Sequence, residues 1–175
     1  MDGEEFEINP GDPLPQRDKV YRMVVNTHRD KRNKTIPAVR CFSLSPNDRN
    51  KLSVDWDRKT TPEESIVRIG CSFKYTSNEF KPFTNREIYA LKIDFLKSIS
   101  EIENVIYDPI ILSNPEKGEV NNPAHSLITF SLDLLNDQAN EPEVYLKIRD
   151  HAKVHRVVVD MEKVTTLVEN YRKNF

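Results

Sequence analysis

Alternating apolar and polar side chains predict short strands through most of the chain, and helical spacing takes over near its end. Leu52, Val54 and Trp56 share one face of residues 51–57, with Ser53, Asp55 and Asp57 on the other. That period of two marks a half-buried strand. Just before it Phe42 and Leu44 alternate with Ser43 and Ser45, and the turn-forming residues 46–50 between the two runs predict a hairpin. Residues 87–94 place Tyr89, Leu91 and Ile93 on one strand face, and residues 126–133 do the same with Ile128, Phe130 and Leu132. Val105, Ile106 and Tyr107 form a brief strand stopped by Asp108 and Pro109, because the residue before proline is pushed out of the helical region.

Three stretches carry helix signals. Thr61, Pro62 and Glu64 stand as N-cap, first helical residue and capping-box glutamate, predicting a helix over 61–69 anchored by Ile66 and Ile69 and ended by a left-handed Gly70. Asp94 caps a short helix, 95–102, carrying Phe95, Ile99 and Ile102. From about residue 141 the pattern is helical, first through Val144, Tyr145, Ile148 and Ala152, then through Val157, Met161, Val164, Val168 and Tyr171. The β-branched run Val157, Val158 and Val159 leaves open a strand before a shorter last helix. An amphipathic final helix ordinarily covers its own sheet, and the competing reading docks it on another protein. The fold class is therefore α+β, a small, mainly antiparallel sheet with short helices and a helical C-terminal region. No repeat period interrupts it.

Charge subdivides the 175 residues. Residues 1–16 hold five acidic residues, no basic one, and Pro10, Pro13 and Pro15, so they read as a flexible acidic segment ahead of a single domain, 17–175. Residues 17–40 hold eight basic residues against Asp18 and Asp30. The densest part, residues 29–34, reads as a solvated loop that can face an acidic partner, nucleic-acid phosphate or the chain's own acidic segment. Overall, 26 Lys plus Arg against 28 Asp plus Glu argue against a protein that coats nucleic acid. No apolar run approaches the roughly 20 residues that span a bilayer, and no secretory signal is present. Two cysteines, Cys41 and Cys71, suit a reducing cytoplasm. Four glycines, where average usage gives roughly 12, nearly exclude glycine-rich phosphate loops.

Candidate chemistry is sparse. His151 and His155 stand four apart on a helix, yet Ala152 occupies the place of a zincin's glutamate, so no metal is expected. Cys41 reads as a buried small hydrophobe, and no Gly-x-Ser-x-Gly elbow presents a serine. Asp48, Asp55 and Asp57 cluster around the predicted hairpin, with Arg58 and Lys59 beside them to neutralise surface carboxylates. His125 follows the polar turn Asn121-Asn122-Pro123 at the mouth of an apolar strand, with no nucleophile or carboxylate near it in sequence, and a loop-fixing bond to backbone is its simplest role.

The runs Phe42-Ser43-Leu44-Ser45, Leu52-Ser53-Val54-Asp55-Trp56, Thr61-Pro62-Glu63-Glu64-Ser65 and Asn122-Pro123-Ala124-His125-Ser126-Leu127-Ile128 resemble a group of small bacterial proteins encoded among mobile and defence genes, over about residues 20–130. The chain is also similar to a small accessory protein of type III-E CRISPR loci. The resemblance implies a regulatory binding partner and supplies no catalytic residue. The expected function is thus non-enzymatic protein–protein binding without cofactor, through Val157, Met161, Val164, Val168 and Tyr171, with Arg29, Lys31 and Arg32 steering an acidic partner. A small hydrolase or nuclease using His125 with Asp55 or Asp57, and nucleic-acid binding through residues 29–34, are the alternatives.

Overall fold

The computed structural model describes residues 7–44, 49–74, 76–136 and 141–174. Six strands, β1 (Lys19–Val25), β2 (Lys51–Trp56), β3 (Arg86–Lys92), β4 (Ile102–Tyr107), β5 (His125–Phe130) and β6 (Arg156–Val157), form one sheet in the order β4-β5-β2-β1-β3-β6. Every pairing is antiparallel. Among the described residues five α-helices accompany it: α1 (Pro62–Cys71), α2 (Ile93–Lys97), α3 (Leu132–Asn136), α4 (Glu141–Ala152) and α5 (Met161–Lys173). This is the expected α+β class. No helix among the described residues is long and apolar enough to cross a membrane.

The sheet is covered on both faces, which the strand patterns only half disclose. Val20, Leu52, Val54, Trp56, Tyr89, Leu91, Ile128 and Phe130 form one core with Leu96 of α2 and Val144, Tyr145, Ile148 and Ala152 of α4. Tyr21, Ile88 and Ala90 form the other with Ile66 of α1 and Val164 and Val168 of α5. Residues 87–91 of β3 are therefore all buried, where the alternating pattern predicted one buried face.

α1 starts as predicted. The Thr61 hydroxyl accepts the Glu64 N–H, and the Glu64 carboxylate accepts the Thr61 N–H at 2.8 Å. Gly70 does not end it, however; the helix runs on to Cys71. Gly70 serves close approach, since a Cβ there would lie 2.6 Å from a methyl of Val168 on α5. Its carbonyl, orphaned by the helix end, accepts from the Arg172 guanidinium at 2.8 and 3.0 Å.

Several expectations are corrected. Residues 42–44 form no strand: the backbone closes a 3-10 turn at Val39–Cys41, and Phe42 is buried edge-on against Tyr89 at 6.0 Å. Both edges of β2 are taken by β1 and β5, so no hairpin partner is accommodated. Asp48 lies outside the described residues. The helix predicted over 95–102 occupies Ile93–Lys97, because burial of Ile93 and Leu96 sets its register, and Ile102 opens β4. Leu132 leaves β5 for α3 and is exposed. Residues 9–14 lie against β4: Gly11 N–H donates to Tyr107 O at 2.7 Å, Leu14 N–H to Val105 O at 2.8 Å, and Leu14 is buried. Prolines at positions that need no donor suit such an edge. Residues 1–6 lie outside the described residues.

The stripe assigned to a partner is consumed at home. Val164 and Val168 are fully buried, and Val157, Met161 and Tyr171 pack around the same core. Val157 belongs to β6, the strand reading of the valine run, and α5 begins only after the Asp160 N-cap, whose carboxylate accepts the Lys163 N–H at 3.0 Å.

Candidate functional site

Two concave features collect the chain's polar chemistry. One is a cleft of about 240 Å³ where α1 leans over β1, β2 and the start of β5. Register places Tyr21, Asp55 and His125 in one row across these strands, so their side chains share the face toward α1. Asp55 is tied on every side. Its carboxylate accepts from the Ser65 hydroxyl at 2.7 Å, Arg68 Nη2 at 3.0 Å and Asn122 Nδ2 at 2.8 Å. Ser65 and Arg68 stand three residues apart on α1, on one face of the helix. Neutralisation thus comes from Arg68; Arg58, its expected partner, instead bonds Asp18 at 2.7 Å.

His125 takes its partners elsewhere. Nδ1 lies 2.6 Å from the Asp108 carbonyl oxygen and 3.2 Å from Asp108 Oδ2. A carbonyl oxygen only accepts, so Nδ1 carries the hydrogen, and in the neutral imidazole Nε2 accepts from the Ser53 hydroxyl at 3.2 Å. The expected bond to backbone is present. A carboxylate and a hydroxyl join it, and neither was visible beside His125 in sequence. Asp57 accepts the Lys19 N–H at 3.3 Å, and burial pushes its carboxyl up. The pairing of His125 with Asp55 or Asp57 as acid and base is not formed: Asp55 is saturated by donors, and Asp57 lies beyond the cleft's lining. Arg22, Arg68 and Arg86 line the cleft with Asp55 as its carboxylate, which makes it electropositive.

The second feature is a groove of about 710 Å³ between residues 29–40 and α4. Arg29, expected to steer a partner, is half-buried and engaged: its guanidinium bonds Glu87 and reaches the Tyr89 hydroxyl. Glu87 also receives Arg156 at 2.9 Å and the Tyr89 hydroxyl at 2.9 Å, so Arg29 acts as an anchor for the loop. Asp30 accepts the N–H groups of Asn33 and Arg32, which holds its carboxyl below the usual range, and receives Arg149 of α4 at 3.3 Å. Lys31, Arg32 and Arg40 remain exposed, with no acidic partner within ion-pair distance among the described residues. Ile36, Ala38, Val39 and Leu146 give the same groove apolar walls.

The remaining candidates are structural. His151 stacks between Phe95 and His155 at 3.8 and 4.3 Å, and its Nε2 accepts the Lys92 N–H at 3.4 Å. Burial and the neighbouring His155 lower it to about 4. No group of three or more His, Cys, Asp or Glu that could hold a metal occurs among the described residues. Cys41 and Cys71 are buried free thiols, both pushed up by that burial. Comparison with protein families, with curated proteins and with solved structures finds no match for this chain.

Proposed function

We propose that this protein is a binding component of a bacterial regulatory or defence-type assembly, and that its groove between residues 29–40 and α4 holds an acidic, partly apolar segment of a partner protein. The observation that carries the reading is exposed positive charge in excess of Asp30, the one carboxylate among the described residues of the groove's lining. Three exposed cations, Lys31, Arg32 and Arg40, rim a groove whose walls include Ile36, Val39 and Leu146. Half-buried ion pairs of Arg29 and Asp30 hold the two residues before the tip, which lowers the ordering entropy lost on binding. The cellular setting rests on the family resemblance of residues 42–65 and 122–128 and on the two free thiols.

Nucleic acid fits the groove less well. The chain's net charge is −2, and no aromatic side chain lines the groove to stack a base. A labelled peptide alternating glutamate and leucine is the probe, read by fluorescence polarisation. Binding is expected at low salt and weakens with salt. Combined reversal of Lys31, Arg32 and Arg40 to Glu, each worth up to about 1 kcal/mol, is expected to cost roughly thirtyfold. Unchanged affinity in that triple variant removes the groove from consideration, and tighter binding to single-stranded RNA than to the peptide transfers it to nucleic acid. Co-purification with the products of neighbouring genes identifies the physiological partner.

A further inference from the structure

We infer that the cleft beneath α1 is a serine-hydrolase site in which Ser53 is the nucleophile, His125 its general base and Asp108 the group that orients the imidazole, acting on esters that carry an anionic group. The cleft shares no lining residue with the basic groove, so this activity stands apart from partner binding.

Connectivity and tautomer carry the assignment. Ser53 Oγ lies 3.2 Å from His125 Nε2, and His125 Nδ1 lies 3.2 Å from Asp108 Oδ2 and 2.6 Å from the Asp108 carbonyl oxygen. This is the nucleophile–base–orienter chain that acyl transfer requires, assembled from β2, β5 and the end of β4. Backbone holds it in place: Ser53 and His125 are diagonal neighbours on the β2–β5 ladder, and Asp108 N–H donates to the His125 carbonyl at 3.0 Å. Ser53 is exposed to the cleft, and the His125 side chain is 13% exposed. Water is limited at the base and substrate is admitted at the nucleophile.

The chemistry closes with water as the co-reactant. Ser53 Oγ attacks the ester carbonyl carbon and its proton passes to His125 Nε2. The tetrahedral intermediate collapses, the bond to the leaving alkoxide breaks, and His125 returns the proton to that oxygen. Water then attacks the acyl-serine, giving its proton to His125, and the Ser53 ester bond breaks. Ser53 recovers its proton from His125, and the carboxylic acid leaves, releasing its own proton to solvent. Arg22 Nη1 sits on the Ser53 carbonyl oxygen at 2.8 Å, and with Arg86, also in the cleft lining, it supplies positive charge for an anionic substrate, while Arg68 stays paired with Asp55.

Purified full-length protein is treated with a fluorophosphonate probe, and the adduct is located by mass spectrometry. Labelling is expected at Ser53, is absent in Ser53→Ala, and falls about a hundredfold in His125→Gln. Asp108→Asn is expected to slow it only about tenfold, because the backbone carbonyl still holds the tautomer. Hydrolysis of 4-nitrophenyl succinate is expected to exceed that of 4-nitrophenyl acetate, with the gap closing as salt rises. Ser53→Ala removes an exposed hydroxyl and keeps the fold, as circular dichroism checks. Labelling spread over several serines at the rate of the denatured chain, or Ser53 labelling that persists unchanged in a folded His125→Gln, overturns the inference. Ester hydrolysis that survives Ser53→Ala overturns it equally.

Discussion

Gly70→Ala tests most directly that the C-terminal stripe is core. In an exposed helix this change stabilises by about 1 kcal/mol, since alanine loses less backbone entropy. Here the new Cβ would meet Val168 methyls at 2.6 and 2.9 Å and a Phe83 ring carbon at 3.2 Å. Optimal carbon contacts lie near 3.5–4.0 Å, so α1 and α5 must part by about 1 Å. Val168 offers no easier escape: it is fully buried, and a valine in a helix has essentially one rotamer. Overpacking of this kind costs about 1–3 kcal/mol, and two struck methyls put it at the upper end. The net expectation is a loss of about 1–2 kcal/mol, or about 0.5–1 M in the urea midpoint. Val168→Ala alone is expected to cost about 2–3 kcal/mol through its cavity. Within that background Gly70→Ala is expected to stabilise, because it recovers helix propensity and refills the void. The cycle should therefore show a coupling of about 2 kcal/mol or more. A higher urea midpoint for Gly70→Ala in the wild-type chain would refute the packing argument, and with it the burial of the stripe.

Two further outcomes concern the cleft and the histidine stack. Asp55→Ala leaves Arg68, 15% exposed, without its carboxylate and takes the acceptor from Ser65 and Asn122, so a loss of about 2–4 kcal/mol is expected, or about 5–15 °C in thermal midpoint. A shift within about 0.5 kcal/mol contradicts the clamp. His151 is lowered to about 4, so the unfolded chain, with its histidine near 6.5, takes up the proton first and stability declines as pH falls from 6.5 toward 4. Between pH 7.5 and 5.0 the full linkage is about 2 kcal/mol, which solvent at the half-buried ring reduces to about 1 kcal/mol. Urea titrations at the two pH values should show this difference in the wild type and little of it in His151→Gln. An unchanged slope in His151→Gln places the linkage elsewhere.

The candidate cleft was legible only in fragments. His125 stood out as an imidazole at the mouth of a strand, but its partners sit 72 and 17 residues away, and sheet register alone brings them together. Ser53 looked like the polar half of an alternating strand, and Asp108 like the stop before Pro109; both descriptions are true and neither discloses a role. Residues 29–34 were visible as a basic run, while the division of labour within it was not. Arg29 is an anchor because β3 carries Glu87 beneath it, a contact 58 residues distant.

The sequence alone determined the elements whose causes are local. The capping box at Thr61 and Glu64, the alternation of Leu52, Val54 and Trp56, and the stripe on α4 each follow from backbone geometry within a few residues. The tertiary structure decided which surfaces stay free. Phe42 gave up a strand to fill space against Tyr89, residues 9–14 found the edge of β4, and the stripe on α5 closed over Gly70 because burial there removes more apolar surface than any exposed arrangement. A side chain's partner is chosen by whichever element the fold places opposite it, and periodicity along one segment carries no record of that choice.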